Sequence, residues 1–164
     1  MKLLFSTLIT IILALTLIPG CEEEDDNSDI PSVHDDFIVL INTVRSNSHT
    51  CGDSTYAPTH TVRENEKLND AAKLHARDMG ENNYLDVESP QGISIEDRII
   101  SQNYKYILFK ALLAQGNTSP ENVIQAWRNE PEYCRAIMNP NFTEIGAGYY
   151  AEENYWVVIF AQPE

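Results

Sequence analysis

The feature that most constrains this chain is an apolar run at its beginning. Residues 3–18 form a run of 16 uncharged residues directly after Lys2. A membrane-spanning helix needs about 20 apolar residues, so this run is short for a permanent span and is typical of a secretory signal peptide. We therefore expect residues 1–20 to direct export, and the rest of the chain to fold outside the cytoplasm.

The end of this run predicts a lipid anchor. Ile18, Pro19 and Gly20 precede Cys21. This order resembles a bacterial lipobox, in which an aliphatic and a small residue precede the cysteine that takes the lipid, although proline is a less usual choice there. An ordinary secretion signal with a coincidental cysteine is the alternative. We expect a lipoprotein signal peptide over residues 1–20 and attachment to the membrane through a lipid on Cys21. The location is then the cell envelope, periplasmic or cell-surface, at the outer membrane in a Gram-negative cell.

An acidic segment follows this cysteine. Six acids and no base lie between Glu22 and Asp29. Such a run repels itself and cannot form a core, so residues 21–31 are predicted to be a solvated tether. The run also resembles a surface-export signal that stands behind the lipidated cysteine of some Gram-negative lipoproteins, and this alternative stays open.

The charge of the chain disfavours two classes of partner. Lys and Arg number 11 against 25 Asp and Glu, a net charge of −14, and removal of residues 1–20 leaves 144 residues with a charge of −15. Nucleic-acid binding needs clustered Lys and Arg, so we expect no nucleic-acid partner. Electrostatic docking on anionic lipid is disfavoured for the same reason.

The cysteine count supports the lipid anchor. Three cysteines is an odd number, which needs an explanation in an exported protein. If Cys21 carries a lipid, Cys51 and Cys134 remain, and a disulfide between them is expected outside the cytoplasm. Two buried free thiols are the alternative, and a nucleophilic cysteine with a base is disfavoured.

Residues 32–164 are predicted to form one domain. Apolar residues at helical spacing, together with capping residues, predict four helices and a short helical segment. The first helix runs from a cap at Ser32 to near Arg45, and the others cover residues 65–82, 94–102, 119–130 and 133–138.

The strands of this domain are predicted from apolar and aromatic runs. A buried strand is expected at residues 104–114, and a final hairpin pairs residues 144–150 with residues 155–160. The polar segment 46–63 is predicted to be a loop held by Cys51. This order of elements predicts an α+β fold in which helices pack against a mainly antiparallel sheet.

Several segments, in their order and spacing, match one known family. The most specific is IMNPNFTEIGAG at residues 137–148, followed by Tyr155 and Trp156. Shorter matches lie at residues 65–84, 89–104 and 119–127. Together they resemble the CAP family (cysteine-rich secretory proteins, antigen 5 and pathogenesis-related 1), in its bacterial secreted branch. The resemblance covers roughly residues 33–160, implies an α-β-α sandwich, and places Cys51 and Cys134 where one subgroup has its cysteine pair.

The resemblance also implies a cleft from which this chain departs. The family's cleft usually holds two histidines and acidic residues, which are good ligands for a divalent metal. In this sequence one histidine position falls on Val87, an acid position on Ala111 and the second histidine position on Tyr133. These side chains cannot hold zinc, and valine and alanine cannot move protons. We therefore expect no metal, no cofactor and no catalytic residue at these cleft positions.

Neighbouring residues leave alternatives open. Asp86 and Glu88 flank Val87, and Glu132 precedes Tyr133, so these acids could serve an extracellular hydrolase, although solvated loop acids are the simpler interpretation. His75 is interpreted as a satisfied helix residue.

The substitutions make the cleft more apolar, which predicts a non-catalytic binding module for a lipid, a peptide or a protein partner. A structural envelope protein without a ligand is a further alternative. Four tyrosines could line a wet aromatic groove, although burial in the core is their ordinary fate. They are Tyr133, Tyr149, Tyr150 and Tyr155.

Overall fold

The computed structural model describes residues 33–116 and 119–164. The predicted signal peptide, Cys21 and the acidic tether lie outside these residues, and the domain boundary at residue 32 stays a prediction. The helices of the described part are α1 (Val33–Arg45), α2 (Glu66–Asn82), α3 (Ile95–Ser101), α4 (Pro120–Asn129) and α5 (Pro131–Ile137). The strands are β1 (His49–Cys51), β2 (Ser54–Tyr56), β3 (Arg63–Glu64), β4 (Tyr106–Gln115), β5 (Glu144–Tyr150) and β6 (Tyr155–Pro163).

Capping residues start the helices where the sequence predicts. Asn65 accepts a hydrogen bond from the Lys67 N–H at the start of α2. Ser94 and Asp97 form a reciprocal capping box on α3. Ser119 caps α4, in which Pro120 is the first residue and needs no N–H partner. No helix of the described residues is both long and apolar enough to cross a membrane.

The main sheet lies between two layers of helices. Its strands lie in the order β3, β5, β6, β4, with β3 parallel to β5 and the other pairs antiparallel. Side chains alternate along β6 between the two faces of the sheet. Val157 and Ile159 pack with residues of α2 and α3, whereas Trp156, Val158 and Phe160 pack with residues of α1, α4 and α5. This arrangement confirms the predicted α+β fold and the α-β-α sandwich.

The segment 46–63 differs from its predicted loop. It contains a hairpin of β1 and β2, which are three residues each and too short to show a periodic pattern. The Thr50 and Thr55 hydroxyls are 3.1 Å apart across this hairpin. Cys51, the last residue of β1, forms the predicted disulfide with Cys134 of α5, their Cα atoms 5.4 Å apart. Strand β6 also runs three residues further than predicted, to Pro163.

Helix α2 lies against β5 at main-chain distance. A Cβ added to Gly146 would overlap main-chain atoms of Leu68 and Asn69, and one added to Gly148 would overlap those of Ala72. Only glycine allows this approach, because any side chain would separate the two backbones. The Asn69 side chain also accepts a hydrogen bond from the Ala147 N–H at 2.9 Å. The position of α2 is therefore fixed by main-chain contact.

A buried arginine joins α1 to the segment before β5, and the sequence analysis missed it. Arg45 has no solvent exposure. Its guanidinium donates to the carbonyls of Ile137, Asn139 and Phe142 at 2.6–3.1 Å and to the carbonyl of His60 at 2.9 Å. Burial lowers the pKa of Arg45 to about 10, so the side chain stays charged at neutral pH. These bonds hold the chain between α5 and β5 in place.

Candidate functional site: a groove between the 83–94 loop and β4

Two of the three predicted cleft positions lie together. Val87 and Ala111 line one groove of about 310 Å³. The Val87 residue is 46% exposed, whereas Ala111 is 6% exposed. The other lining residues are Glu88, Ser94, Ile95, Glu96, Phe109 and Lys110. We call this space the groove.

Hydrogen bonds on both sides hold Val87 in place. His75, buried in α2, lies with Nε2 2.7 Å from the carbonyl oxygen of Asp86. The Val87 carbonyl accepts from the Ile95 N–H at 2.8 Å, and Glu88 pairs with Ser94 as an antiparallel bridge. The loop is thus bonded to α2 and to the start of α3, which gives the groove a defined wall.

The bond to Asp86 also fixes which ring nitrogen of His75 carries a proton. A carbonyl oxygen can only accept, so Nε2 must carry the proton. Nδ1 is buried without a hydrogen-bond partner. Burial lowers the pKa of His75, with a smaller lowering by the charge of Arg98 and opposing effects of the Asp86 bond and of Asp78. Burial therefore disfavours the charged form of His75 and the residue is structural, but only one of its two ring nitrogens is hydrogen-bonded, so it is a satisfied helix residue only in part.

A second polar cluster supports the same loop. Arg98 of α3 and Asp78 of α2 form an ion pair at 2.7 Å, and the Tyr84 hydroxyl donates to the same Asp78 oxygen at 2.5 Å. Burial and the hydrogen bond to Asp78 raise the pKa of Tyr84 well above its usual range. Tyr84 is therefore a neutral donor that anchors the beginning of the loop.

Two of the three charged residues that line the groove, Lys110 and Glu96, have bonded partners. The Lys110 ammonium of β4 lies 2.5 Å from the Glu132 carboxylate of α5. Lys110 holds the pKa of Glu132 below its usual range. Glu96 accepts a hydrogen bond from the Tyr106 hydroxyl, and loss of solvent together with this bond raises the pKa of Tyr106 to about 12. The ion pair leaves the remaining groove wall largely apolar.

The third predicted cleft position lies elsewhere. Tyr133 is half-buried and packs its ring edge-on against Trp127, with ring centres 6.3 Å apart. It is not among the described residues that line the groove. Tyr133 faces the layer of α1 and α4, whereas its neighbour Glu132 reaches towards Lys110. Glu132 and Tyr133 are adjacent on the short helix α5, and their side chains point to different parts of the domain.

The residues of the groove do not fit a zinc site. Its side chains offer the carboxylates of Glu88 and Glu96 and the ammonium of Lys110, and no imidazole among the described residues that line it. Within residues 33–116 and 119–164, no three His, Cys, Asp or Glu side chains lie close enough together to hold a metal ion. The Asp86 carboxylate instead accepts from the Val87 N–H at 2.7 Å.

Lys110 is the groove residue that sequence reasoning passed over. It is the single charged residue of β4, which is a signal that could have been noticed. A lone lysine inside an apolar strand needs a partner or an outlet to solvent. Its partner, Glu132, could not be identified because it lies on a different element 22 residues away.

Comparison with known proteins is consistent with this architecture. A model of the cysteine-rich secretory protein (CAP) family matches residues 39–162. Over 95 residues the chain is 36% identical to the uncharacterized protein YkwD of Bacillus subtilis. This match covers 58% of this chain and 37% of YkwD.

Solved structures show the same fold. An extracellular protein with an SCP domain from Bacillus anthracis superposes with a TM-score of 0.70 at 22% identity, over 79% of this chain and 40% of that chain. An outer surface protein from Borrelia burgdorferi has a TM-score of 0.60 at 22% identity, over 79% of this chain and 88% of that chain. This chain therefore spans less than half of the two Bacillus proteins.

Proposed function

Because this chain belongs to the CAP family, the cysteine-rich secretory proteins, we propose that its domain is a non-catalytic binding module held at the cell envelope by a lipid on Cys21. The module takes an apolar group of a lipid, a peptide or a protein partner in the groove. The observation that carries this proposal is that Val87 and Ala111 line one groove. The resemblance to the family predicts that these two positions correspond to a histidine and an acid of its cleft.

The groove has the size and lining for a small apolar group. Its volume of about 310 Å³ is at the lower end of ligand pockets, which span about 300–1,000 Å³. Val87, Ile95, Phe109 and Ala111 supply apolar surface. Such a space accepts one large side chain or a short section of an acyl chain, with the exposed Glu88 at the rim for polar contacts.

Proton transfer is poorly supported by the same residues. A general acid works best when its pKa lies near the working pH. Lys110 lowers the pKa of Glu132, which moves it further from neutral pH. The Asp86 carboxylate is bonded to the adjacent main chain. His75 directs its Nε2 proton to the Asp86 carbonyl and its Nδ1 into the protein interior. These groups support the fold of the loop.

The groove is tested with small apolar probes. N-acetyl-leucine amide and decanoate are titrated into the protein while the amide chemical shifts of residues 84–96 and 108–112 are followed. Val87→Asp should weaken binding at least tenfold, since it places a charge on the apolar wall. Val39→Asp is the matched control, because Val39 is 64% exposed on α1 and lies away from the groove. Equal weakening by both variants, or shifts confined to other regions, would reject the groove.

The anchor is supported by the order of residues before Cys21 and by the fold shared with an outer surface protein of Borrelia burgdorferi. Metabolic labelling with an alkyne fatty acid should mark the wild-type chain and not Cys21→Ser. Protease treatment of intact cells then separates a cell-surface location from a periplasmic one. A Cys21→Ser chain that still partitions fully with membranes would contradict the lipid anchor.

A hydrolase is the second candidate, and the exposed Glu88 in the groove is the observation that favours it. If loop acids carry out the reaction, replacing Asp86, Glu88 and Glu132 by alanine together abolishes turnover of a hydrolysed substrate. A zinc titration followed by thermal unfolding tests the metal-dependent form of this idea. A ligand at 100 times its Kd stabilises a fold by about 2.7 kcal/mol, and our proposal expects no such shift with zinc.

A further inference from the structure

A second cavity shares no lining residue with the groove. It encloses about 360 Å³ between α1, α2, β5 and β6. Its volume equals that of about 12 liquid water molecules, enough for a small organic ligand. Four aromatic rings and two cations dominate its lining, and we call it the aromatic cavity. These residues are Phe37, Lys73, Arg77, Tyr149, Tyr150 and Trp156.

The aromatic rings form a fixed wall. The rings of Tyr149 and Trp156 have centres 4.1 Å apart, and those of Phe37 and Trp156 are 5.3 Å apart. The Tyr149 hydroxyl donates to Asn154 at 2.7 Å, and the Tyr150 hydroxyl lies 3.1 Å from Glu152. These bonds hold the hydroxyls in the turn between β5 and β6. The ring bodies remain as the surface that a ligand meets, which suits another aromatic ring.

The cations stand on one face of α2. Lys73 and Arg77 are four residues apart, which places them one turn apart on the same side of the helix. Across the described residues, neither side chain forms a salt bridge or a side-chain hydrogen bond, although Lys73 borders a further cavity that also has Glu64, Glu66 and Asp70 in its lining. By contrast, Arg98 and Lys110 are each bonded to a carboxylate within 2.7 Å. Two cations without an ion pair beside an aromatic wall are complementary to an aromatic anion.

The open edge of the sheet faces the same cavity. Strand β3 pairs with β5 only at Glu144 and Ile145, and no described strand pairs with this edge beyond them. The Ala147 N–H on this edge is bonded to Asn69. Because N–H groups alternate between the two edges of a strand, the Tyr149 N–H points to the same side as that of Ala147. It is a further donor for a carboxylate.

We propose that the aromatic cavity binds a small aromatic carboxylate at the open edge of the sheet, with its ring against Tyr149 and Phe37 and its carboxylate at Lys73 and Arg77. The site is separate from the groove and does not depend on the function proposed for it. Charge complementarity selects the anion, while the rings select a planar apolar body.

The test compares two probes of the same shape, 2-naphthoate and neutral 2-naphthamide, by equilibrium dialysis with the full-length protein. Wild type should bind 2-naphthoate more tightly than 2-naphthamide. Lys73→Gln/Arg77→Gln should weaken 2-naphthoate binding about tenfold, as loss of charge-assisted hydrogen bonds predicts. The same variant should change 2-naphthamide binding less than about twofold.

The matched control removes two cations elsewhere. Arg63 and Lys105 have 79% and 82% exposed side chains, so Arg63→Gln/Lys105→Gln gives the same net charge as the test variant. Its 2-naphthoate affinity should stay within twofold of wild type. Each single variant at Lys73 and Arg77 should give an intermediate loss, with an unchanged melting temperature.

Three results would overturn the proposal. One is equal weakening in test and control variants, which would mean a general charge effect. Another is a wild type that binds the two probes equally. The third is 2-naphthoate binding that Lys73→Gln/Arg77→Gln leaves unchanged.

Discussion

The groove and the aromatic cavity have similar volumes, about 310 and 360 Å³, but their charges are arranged differently. In the groove, Lys110 is bonded to Glu132, so its charge connects β4 to α5. In the aromatic cavity, Lys73 and Arg77 have no such partner among the described residues. A lysine is therefore structural in the groove, whereas a lysine in the aromatic cavity is available to a ligand. Only the fold shows which of these two roles a given lysine has.

The two sites are also built on different supports. The groove depends on a loop that polar side chains attach to α2 and α3, chiefly His75, Asp78 and Arg98. The aromatic cavity depends on main-chain contact between α2 and β5 at Gly146 and Gly148. Polar bonds can be lost one at a time, whereas a main-chain contact has no room for adjustment. Substitutions should therefore break the two sites to different extents.

The largest effect is expected from Gly148→Ala. The new Cβ would overlap the main chain of Ala72, so α2 must move away from β5 and open the aromatic cavity. Overpacking against backbone should lower the free energy of unfolding by about 3 kcal/mol or more, measured by urea denaturation. Gly116→Ala is the control, because its Cβ would meet no atom within 4 Å and only the positive φ of this residue opposes the change. A loss below about 1 kcal/mol for Gly148→Ala would contradict the main-chain contact.

The next effect is expected from Asp78→Asn, which breaks the support of the groove. It removes the charge that Arg98 and Tyr84 share, so we expect a loss of about 2 kcal/mol. Hydrogen exchange at the Ile95 amide, which is bonded to the Val87 carbonyl, should accelerate because the loop loosens. Glu164→Gln is the control, since its ion pair with Lys105 is exposed and 3.9 Å long and should contribute less than about 0.5 kcal/mol. If hydrogen exchange at the Ile95 amide does not change, the cluster around Asp78 does not hold the loop in place.

A smaller, pH-dependent effect is expected at His75. Its folded pKa lies below the ordinary value of about 6.5 because of burial, so the unfolded chain binds the proton first as the pH falls. The stabilisation from neutral His75 is complete above pH 6.5 and is lost progressively below it, down to the folded pKa. His75→Gln retains a donor for the Asp86 carbonyl and should flatten the stability curve between pH 7 and 5.5.

His49→Gln is the matched variant for that measurement. Burial followed by the charge of Arg128 lowers the pKa of His49 as well, but its ring is only half-buried, at the surface of the hairpin. Its contribution to the pH slope should be smaller than that of His75. If the two variants change the slope of stability against pH equally, protonating the buried Nδ1 of His75 costs no more than protonating the half-buried His49.

Much of this fold could be predicted because its signals are local. The caps at Asn65, Ser94 and Ser119 and the apolar spacing of α1 each depend on a few neighbouring residues. The hairpin of β1 and β2 could not be predicted, because three-residue strands are too short for a period. The role of Arg45 was equally hidden, since its partners are carbonyls up to 97 residues away.

The site was predictable only in part for a similar reason. Matching to the family's pattern placed Val87 and Ala111 in one groove, but it also selected Tyr133, which packs on Trp127. On a seven-residue helix, adjacent side chains point about 100° apart, so the choice between Glu132 and Tyr133 decides which of them reaches the groove. Sequence order alone does not fix that direction.

The smallest effect on stability is expected from Glu132→Gln, and it sharpens the comparison most directly. The ion pair with Lys110 is largely exposed, so its loss should change the free energy of unfolding only slightly. Lys110 then becomes a cation without a carboxylate partner beside an apolar wall, as Lys73 and Arg77 are in the aromatic cavity. The groove should gain affinity for decanoate over its neutral amide, while Glu130→Gln, a nearby exposed change, should not produce this preference. If Glu132→Gln leaves the two probes equally bound, pairing of the lysine is not what separates the two sites, and the aromatic rings must supply the difference.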